Sequence, residues 1–373
     1  MHIALSISPH KVTGLAVDST KHLTKSFNFS LPFFEFRNLS KSYWDEVIER
    51  VLDICKVSKT EAKFIITAEE STYLSKSELS LFSSTFEILP NINQSIIYLG
   101  DYKGYANKNE LPLIFDPQDF YKWFPQAENI SEIENTFYNR QAYGILNRKD
   151  TWVSDFEQAL FREKLSFVLQ NTSVDYLRST QDIILTGEGL IEVTDQKKLI
   201  LSFLDGLNTF GFWRLYADFE NILLNTQLIK HLDEELGKKI EDKILFEDLS
   251  GCLVIPESCN MELVFSDDSK IELKLIENSV SVVPLNKGDT VNVYQKLSGK
   301  EVIIEATGGK YGLIVDNRKR PLLSNLSNKE RLELILRWEK EMNSKVYLSS
   351  LPKTTSYLKK SKPSKQVNKK NEA

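Results

Sequence analysis

The stretch DIILTGEGL, residues 182–190, gives the clearest indication of the fold. Its first half, Asp182–Leu185, predicts a strand that ends at a glycine turn. Beyond the turn, a cap predicted at Thr194 begins a helix with apolar residues at helical spacing. A second strand is predicted at Phe212–Ala217. Strands that alternate with helices in this way are typical of an α/β sheet.

The same order of predicted strands and helices occurs twice in the first 238 residues. In the first copy, Ile3–Ile7, Val12–Val17 and Lys25–Leu31 predict three neighbouring strands, followed by a helix and further strands. The second copy begins with a strand at Ser95–Leu99, and Pro112 indicates an edge strand because proline cannot donate a ladder hydrogen bond. Two such units predict a duplicated ribonuclease H-like, or actin-like, two-lobed fold. An unrelated α/β fold is the alternative.

The sequence changes character after Lys243, where short apolar runs alternate with turn residues. This pattern is typical of a small β-sandwich or barrel. Ser327 and Glu330 then predict a capping box at the start of a final helix that buries Leu332, Ile335, Leu336 and Trp338. The predicted organisation is a degenerate actin-like lobe at 1–94, a second lobe at 95–238, a small all-β domain at 244–323, a packed C-terminal helix at 327–343 and a disordered basic tail at 353–373.

The charge of the chain is unevenly distributed. Its 373 residues carry a formal net charge of −5, and the tail from Lys353 has seven Lys and one Glu, which leaves −5 − 6 = −11 for the rest. An acidic body disfavours nucleic-acid binding, which needs a basic surface. Contact with RNA or an anionic membrane is therefore expected only through the tail, and such tails more often serve solubility alone.

The spacing of the cysteines and histidines and the length of the apolar runs exclude further classes of protein. Three cysteines form no CxxC pair and four histidines have no ligand spacing, so we expect neither a disulfide framework nor a metal site. No run approaches the roughly 20 apolar residues of a membrane span, and no signal peptide is recognisable at the start. We expect a soluble, cytoplasmic protein, and the sequence leaves its oligomeric state open.

Three stretches carry a resemblance to a known family. They are residues 183–190, residues 204–218 with the letters LDGL and GFWRLYAD, and residues 311–322, YGLIVDNRKRPL, which precede the helix Arg331–Met342. Together they resemble the glutamate mutase-associated MutL family, which is distinct from the mismatch-repair protein of the same name. The resemblance implies an actin-like nucleotide-binding architecture followed by a β domain. Its members accompany a cobalamin-dependent carbon-skeleton mutase. The first 180 residues match only in outline.

The positions that would hold a nucleotide have lost polar residues. An actin-like ATPase grips phosphates between two hairpins, each with an acid for hydrated Mg²⁺ and a glycine that lets backbone N–H groups approach. Here Ser6 and Tyr98 occupy the two acid positions. Gly100 remains in the second hairpin, but Asp101 follows it and would repel phosphate. ATP with Mg²⁺ is therefore possible but disfavoured, and we predict no catalytic residue.

The turn Gly187-Glu188-Gly189 resembles the segment that packs on adenosine in such sites. Gly100, Gly187 and Gly189 are accordingly the candidate cofactor-binding positions. Glycines at a strand-to-helix turn also occur for structural reasons, since glycine allows φ > 0 and close packing. Two functions follow as hypotheses. The first is a non-catalytic actin-like scaffold or adaptor that binds a protein partner. The alternative is a nucleotide-dependent chaperone or reactivator of a cobalamin-dependent mutase.

Two segments are candidate docking surfaces for a partner. The segment Asp316–Pro321 is predicted to be a surface turn, in which Asp316 shapes the turn or Arg318 and Arg320 form a fork that binds a carboxylate or another anion. The second candidate is a dense aromatic cluster, for which burial in the core is the competing interpretation. Its members are Phe115, Phe120, Tyr121, Trp123 and Phe124.

Overall fold

The computed structural model describes residues 1–8, 11–18, 23–30, 41–68, 96–100, 103–106, 109–124, 130–143, 151–191, 193, 195–256, 261–273, 275–297, 300–324 and 326–344. Its strands are β1 (His2–Ser8), β2 (Lys11–Asp18), β3 (Leu23–Ser30), β4 (Lys63–Ala68), β5 (Ile96–Leu99), β6 (Lys103–Ala106), β7 (Asn109–Pro112), β8 (Asp182–Thr186), β9 (Gly211–Ala217), β10 (Glu247–Val254), β11 (Met261–Phe265), β12 (Lys270–Leu273), β13 (Val280–Val283), β14 (Thr290–Leu297), β15 (Lys300–Thr307) and β16 (Leu313–Asp316). Its helices are α1 (Lys41–Cys55), α2 (Pro117–Tyr121), α3 (Ile130–Tyr143), α4 (Thr151–Gln170), α5 (Val174–Ser179), α6 (Glu188–Ile191), α7 (Gln196–Gly206), α8 (Ile222–Leu232), α9 (Glu234–Glu241) and α10 (Asn328–Asn343). The predicted tail at 353–373 lies outside the described residues.

The first lobe is a sheet with the strand order β3-β2-β1-β4. Neighbouring strands β1, β2 and β3 are antiparallel, and β4 runs parallel to β1. Alternate side chains of a strand point to opposite faces. Ile3 and Leu5 therefore pack on one face in a cluster with Val51 of α1, whereas Ala4 packs on the other face in a cluster with Leu228 of α8.

The second lobe repeats this strand order. Its sheet contains β7-β6-β5-β8, in which β5 and β6 are antiparallel, β6 and β7 are antiparallel, and β8 is parallel to β5. Strand β9 continues the sheet parallel to β8. The chain is thus a mixed α/β protein, and the repeated order resembles the two lobes of an actin-like fold, as predicted. Pro112 lies on β7 at the edge of the sheet, which confirms the edge position predicted from this proline.

The predicted β domain at 244–323 is divided between two sheets. Strands β10, β16 and β13 extend the sheet of the second lobe in the order β9-β10-β16-β13, and Cys252 of β10 pairs with Trp213 of β9. Only β12-β11-β14-β15 form a separate sheet, which is antiparallel. The predicted small sandwich or barrel is therefore found in part: buried residues of both sheets share one apolar cluster, but three of the strands belong to the sheet of the second lobe. Periodicity locates strands but does not choose their partners.

At α8, the observed division between the two lobes also differs from the predicted boundary. This helix follows the last parallel strand of the second lobe, but its Leu228 and Ile229 pack in a cluster with Leu15 and Val17 of the first sheet. The second predicted lobe, 95–238, therefore contributes a helix to the core of the first. None of the helices among the described residues is both long and apolar enough to cross a membrane.

The final helix, α10, begins with the predicted capping box. Ser327 and Glu330 bond reciprocally at its N-terminus. Ile335, Trp338 and Met342 are buried against the core of the second lobe. Burial of Leu336 was a wrong prediction, because that side chain is 49% exposed. In an α-helix, positions three and seven residues after Ile335 share its face, whereas the next residue is turned about 100° away.

Candidate functional site

The structure brings the three candidate glycines together at one edge of the second sheet. Gly100 follows β5 and Gly187 follows β8, and these parallel strands pair with Tyr98 opposite Thr186. Gly187 has φ +113°, and a Cβ there would clash with the Leu99 carbonyl oxygen. A Cβ on Gly189 would lie 3.1 Å from the same oxygen. The glycines are therefore needed for close backbone packing between the two strand ends, whether or not a ligand binds.

We expect Gly187→Ala to lower the free energy of unfolding by about 1–3 kcal/mol or more, because alanine would adopt an unfavourable backbone conformation and contact the Leu99 backbone. Urea unfolding monitored by circular dichroism measures the change. Gly288→Ala is the control, since Gly288 has φ +83° but nothing within 4 Å of its added Cβ. If the two variants lose equal stability, the packing role of Gly187 is contradicted.

 The two positions where an acid would hold Mg²⁺ in an actin-like ATPase are Ser6 and Tyr98. Ser6 is buried on β1 opposite Thr13. Tyr98 is 5% exposed and packs in an apolar cluster with Leu223 and Leu224 of α8. Both positions therefore hold neutral side chains enclosed by protein. Within the described ranges, no group of three or more His, Cys, Asp or Glu residues could hold a metal ion.

Gly189, one of the candidate glycines, also lines a cavity. It has a volume of about 80 Å³ and is lined by residues that include Arg140, Glu157 and Lys164. Arg140 Nε donates to both carboxylate oxygens of Glu157, at 2.8 and 2.9 Å, and Lys164 Nζ donates to the Gly100 carbonyl oxygen at 3.4 Å. Ligand pockets usually measure about 300–1,000 Å³. The cavity beside Gly189 is smaller than this range.

Polar side chains join the two lobes next to this edge. Asn221 and Asn225, which follow β9 in the chain, each donate a hydrogen bond from Nδ2 to Thr13 Oγ1 of β2, at 3.3 and 3.5 Å. Asp218 accepts hydrogen bonds from Thr186 Oγ1 and from the backbone N–H groups that begin α8, each at 2.9 Å. Burial raises the pKa of Asp218, although these hydrogen bonds oppose the rise. The network positions α8 on the first lobe.

A buried ionic cluster lies on the other side of the second lobe and contains both candidate docking arginines. We define it as Arg162, Asp205, Asp316, Arg318 and Arg320. Arg318 donates Nε and Nη2 to the two carboxylate oxygens of Asp316, at 2.9 and 2.8 Å, and Nη1 to Asp205 Oδ1 at 2.6 Å. Arg320 Nη2 reaches Asp316 Oδ2 at 2.6 Å, and Arg162 Nε pairs with Asp205 Oδ2.

The charges of the cluster stabilise one another. Burial acts to raise the pKa of Asp316, but Arg318 and Arg320 outweigh it and hold that pKa below its ordinary value. Burial acts to lower the pKa of Arg318, whereas Asp316 and Asp205 raise it, and the pKa lies above its ordinary value. The pKa of Arg320 is lowered, chiefly by burial. Asp316 and Arg318 are therefore charged partners in the protein interior.

The predicted surface location of the segment Asp316–Pro321 is wrong for Asp316 and Arg318, whereas Lys319 and Pro321 are exposed. The alternative in which Asp316 accepts hydrogen bonds from Arg318 and shapes the turn is confirmed. The side chains of Asp316 and Arg318 are 0% exposed, and that of Arg320 is 9% exposed. The charged letters suggested an exposed turn because the compensating Asp205 lies on α7, more than a hundred residues earlier in the chain. Arg320 keeps two buried nitrogens, Nε and Nη1, without a hydrogen-bond partner in the described part of the chain. Docking through the arginines stays a prediction.

The aromatic cluster belongs to the core. Phe120, Trp123 and Phe124 are at most 4% exposed, Phe115 is 9% exposed, and all four belong to the main cluster of the second lobe. Tyr121 is partly buried against it. The sequence did not predict the hydrogen-bond partner of the Trp123 indole. Its Nε1 donates to Glu163 Oε2 at 2.6 Å. Glu163 lies on α4, 40 residues after Trp123, so the sequence around either residue gives no signal of this contact.

The sequence matches no protein-family model and no curated protein. Among solved structures, the chain is similar to an activator of the 2-hydroxyisocaproyl-CoA dehydratase from Clostridium difficile with bound ADPNP, at 10% identity and TM-score 0.36, over 65% of this chain and 98% of that one. It is also similar to the ethanolamine utilization protein EutJ from Carboxydothermus hydrogenoformans, at 6% identity and TM-score 0.35, over 61% and 88%. A third is MreB 5 of Spiroplasma citri bound to AMPPNP, at 9% identity and TM-score 0.31, over 65% and 98%.

All three TM-scores are low, so the strand order of the two sheets, rather than these likenesses, supports the actin-like architecture. The resemblance to the glutamate mutase-associated MutL family remains one of short sequence stretches, since no family model matches.

Proposed function

We propose that this protein is a non-catalytic scaffold or adaptor that uses an actin-like architecture to bind a protein partner. The observation that supports the proposal is the pair of acid positions, where Ser6 and Tyr98 are buried among protein atoms. Phosphoryl transfer depends on metal ions that neutralise the developing charge. A chain without carboxylates at these positions lacks the usual means of holding Mg²⁺ there.

The second candidate function is a nucleotide-dependent chaperone or reactivator of a cobalamin-dependent mutase. Two observations favour it: the adjacency of Gly100, Gly187 and Gly189 at the sheet edge, and the resemblance of residues 183–190 and 311–322 to the MutL family. This function requires unusual metal ligands and an opening of the cavity beside Gly189 that admits a nucleotide.

Calorimetry with ATP and Mg²⁺ at millimolar concentration separates the two candidates. For a scaffold we expect no saturable heat and no rise in melting temperature, because a ligand that binds the native state stabilises it by mass action. Titration with ADP, with a non-hydrolysable ATP analogue and with ATP in the presence of EDTA provides the controls. A Mg²⁺-dependent rise in melting temperature together with phosphate release would contradict the scaffold and support the reactivator.

A further inference from the structure

A groove of about 400 Å³ lies between the two lobes, on a part of the surface that the candidate nucleotide site does not include. Its lining is mainly aliphatic and comes from β2, β3, α8, α9 and the segment that follows α9. The principal members are Leu15, Val17, Leu236, Ile240, Ile244 and Leu245. Ser26 of β3, which also lines the groove, donates a hydrogen bond to Glu220 of the second lobe. The groove is therefore built by both lobes where they touch.

Leu245 adds an exposed apolar side chain to this groove. Its side chain is 93% exposed, and it follows Ile244, which is partly buried against the apolar clusters. A single exposed leucine is common on protein surfaces. Here, however, the exposed side chain adjoins a concave aliphatic surface, so an occupant of the groove would also cover Leu245. Such burial is worth about 25 cal/mol per Å² of apolar area removed from water.

The charge of the groove indicates the chemistry of its occupant. The charged residues of its lining are Lys239 and Lys243, four residues apart, and Asp18, which is only 9% exposed. The Lys239 side chain is 65% exposed and pairs with Glu235 at the surface, and Lys243 is also exposed. The chain outside the lysine-rich tail carries −5 − 6 = −11. Two exposed lysines beside an aliphatic surface favour an acidic occupant and repel the chain's own tail, which carries +6.

We propose that the groove binds an amphipathic helix of a partner protein, with an apolar face and acidic flanks. The inference rests on the proposed scaffold function and assigns it a binding surface. Helices that bind grooves place apolar residues at i, i+3 or i+4, and i+7 into the concave surface. The apolar face would cover Leu245 and the lining of α9, and the acidic flanks would lie beside Lys239 and Lys243.

Designed peptides test the charge preference on the full chain. The probe is a fluorescent helical peptide of 18 residues or so, with Leu at groove-binding spacing and Glu elsewhere. A second peptide keeps the leucines but carries Lys in place of Glu, and a third scrambles the acidic sequence. We expect the acidic peptide to bind at least about tenfold more tightly than the other two, and to weaken as salt rises. Equal affinity of the acidic and basic peptides would overturn the proposal.

Variants then test the location. Leu245→Asp should weaken the acidic peptide about tenfold, and Lys239→Glu combined with Lys243→Glu should abolish its preference over the basic peptide. Ile276→Asp is the matched control, because Ile276 is 71% exposed and lies outside the groove. All variants alter exposed side chains, and their melting curves should match the parent. Equal loss in Leu245→Asp and Ile276→Asp would overturn the proposal.

Two other outcomes are distinguishable. If the chain forms a concentration-dependent dimer in sedimentation and Leu245→Asp abolishes it, the occupant is a second copy and the proposal fails. If no peptide binds at the groove while ATP with Mg²⁺ produces no heat, the groove assignment fails but the scaffold function stands. If ATP binds and is hydrolysed, the scaffold function fails, whatever the peptides do.

Discussion

Replacing Arg318 with alanine is expected to lower the free energy of unfolding by about 3–5 kcal/mol. The guanidinium is 0% exposed and donates to both Asp316 and Asp205, whose side chains are also 0% exposed. Without Arg318, two carboxylates would stay buried with fewer compensating charges. Removing one member of a buried ion pair costs more than the pair contributes, because the remaining charge stays away from water.

Chemical denaturation followed by circular dichroism measures this loss. Arg214→Ala is the matched control, because Arg214 donates to Asp182 at 2.5 and 2.7 Å in a similar fork but the two side chains are 38% and 43% exposed. An exposed pair contributes about 0–1 kcal/mol. The double variant Arg318→Ala with Asp316→Ala should lose less than the sum of the single losses. A loss below about 1 kcal/mol for Arg318→Ala would contradict the role of the cluster.

The order of strands in the two lobes could be predicted because it depends on local patterns. The strand Ile3–Ile7 is apolar apart from Ser6, and the apolar strand at Asp182–Leu185 runs into a glycine turn. The antiparallel or parallel direction of neighbouring strands follows from the length of their connection. Pro112 identified an edge strand, and Ser327 with Glu330 identified the start of α10. These predictions succeeded since each depends on residues close together in sequence.

Long-range contacts account for the predictions that failed. Strand β10 has six consecutive buried residues, Leu249–Val254, but nothing in them states that their partner is β9 of the preceding lobe. Helix α8 carries a periodic apolar face, yet the sequence does not show that this face packs on the first sheet rather than the second. The burial of Arg318 likewise depends on Asp205, which lies on α7.

For the candidate nucleotide positions too, the features that depend on local sequence could be predicted and the long-range contacts could not. Their adjacency followed from the expected strand order, because the ends of parallel neighbours β5 and β8 meet at one edge. The packing of Tyr98 against Leu223 and Leu224 could not be predicted, since it requires α8 to cross between the lobes. The sequence alone showed that an acid is missing at this position, but it did not show which side chains enclose the residue that replaces it.

Trp338→Ala is the second substitution with a large expected effect, a loss of about 3–5 kcal/mol in the free energy of unfolding. Trp338 is 1% exposed and belongs to the main apolar cluster of the second lobe. Its ring lies 4.6 Å from the Arg318 guanidinium carbon, and its Nε1 donates to the Asn278 carbonyl oxygen at 3.1 Å. Alanine would leave a cavity and remove both contacts.

Leu336→Ala is the control on the same helix, because that side chain is 49% exposed and its removal should cost far less. Trp338→Phe separates the contributions further: it keeps an aromatic ring beside Arg318 but loses the hydrogen bond to Asn278, which is worth about 0.5–1.5 kcal/mol. The loss for Trp338→Ala should therefore clearly exceed that for Trp338→Phe, and both should exceed the loss for Leu336→Ala. If Trp338→Ala melts within error of the parent, α10 is not packed on the second lobe and its apolar face is available to a partner instead.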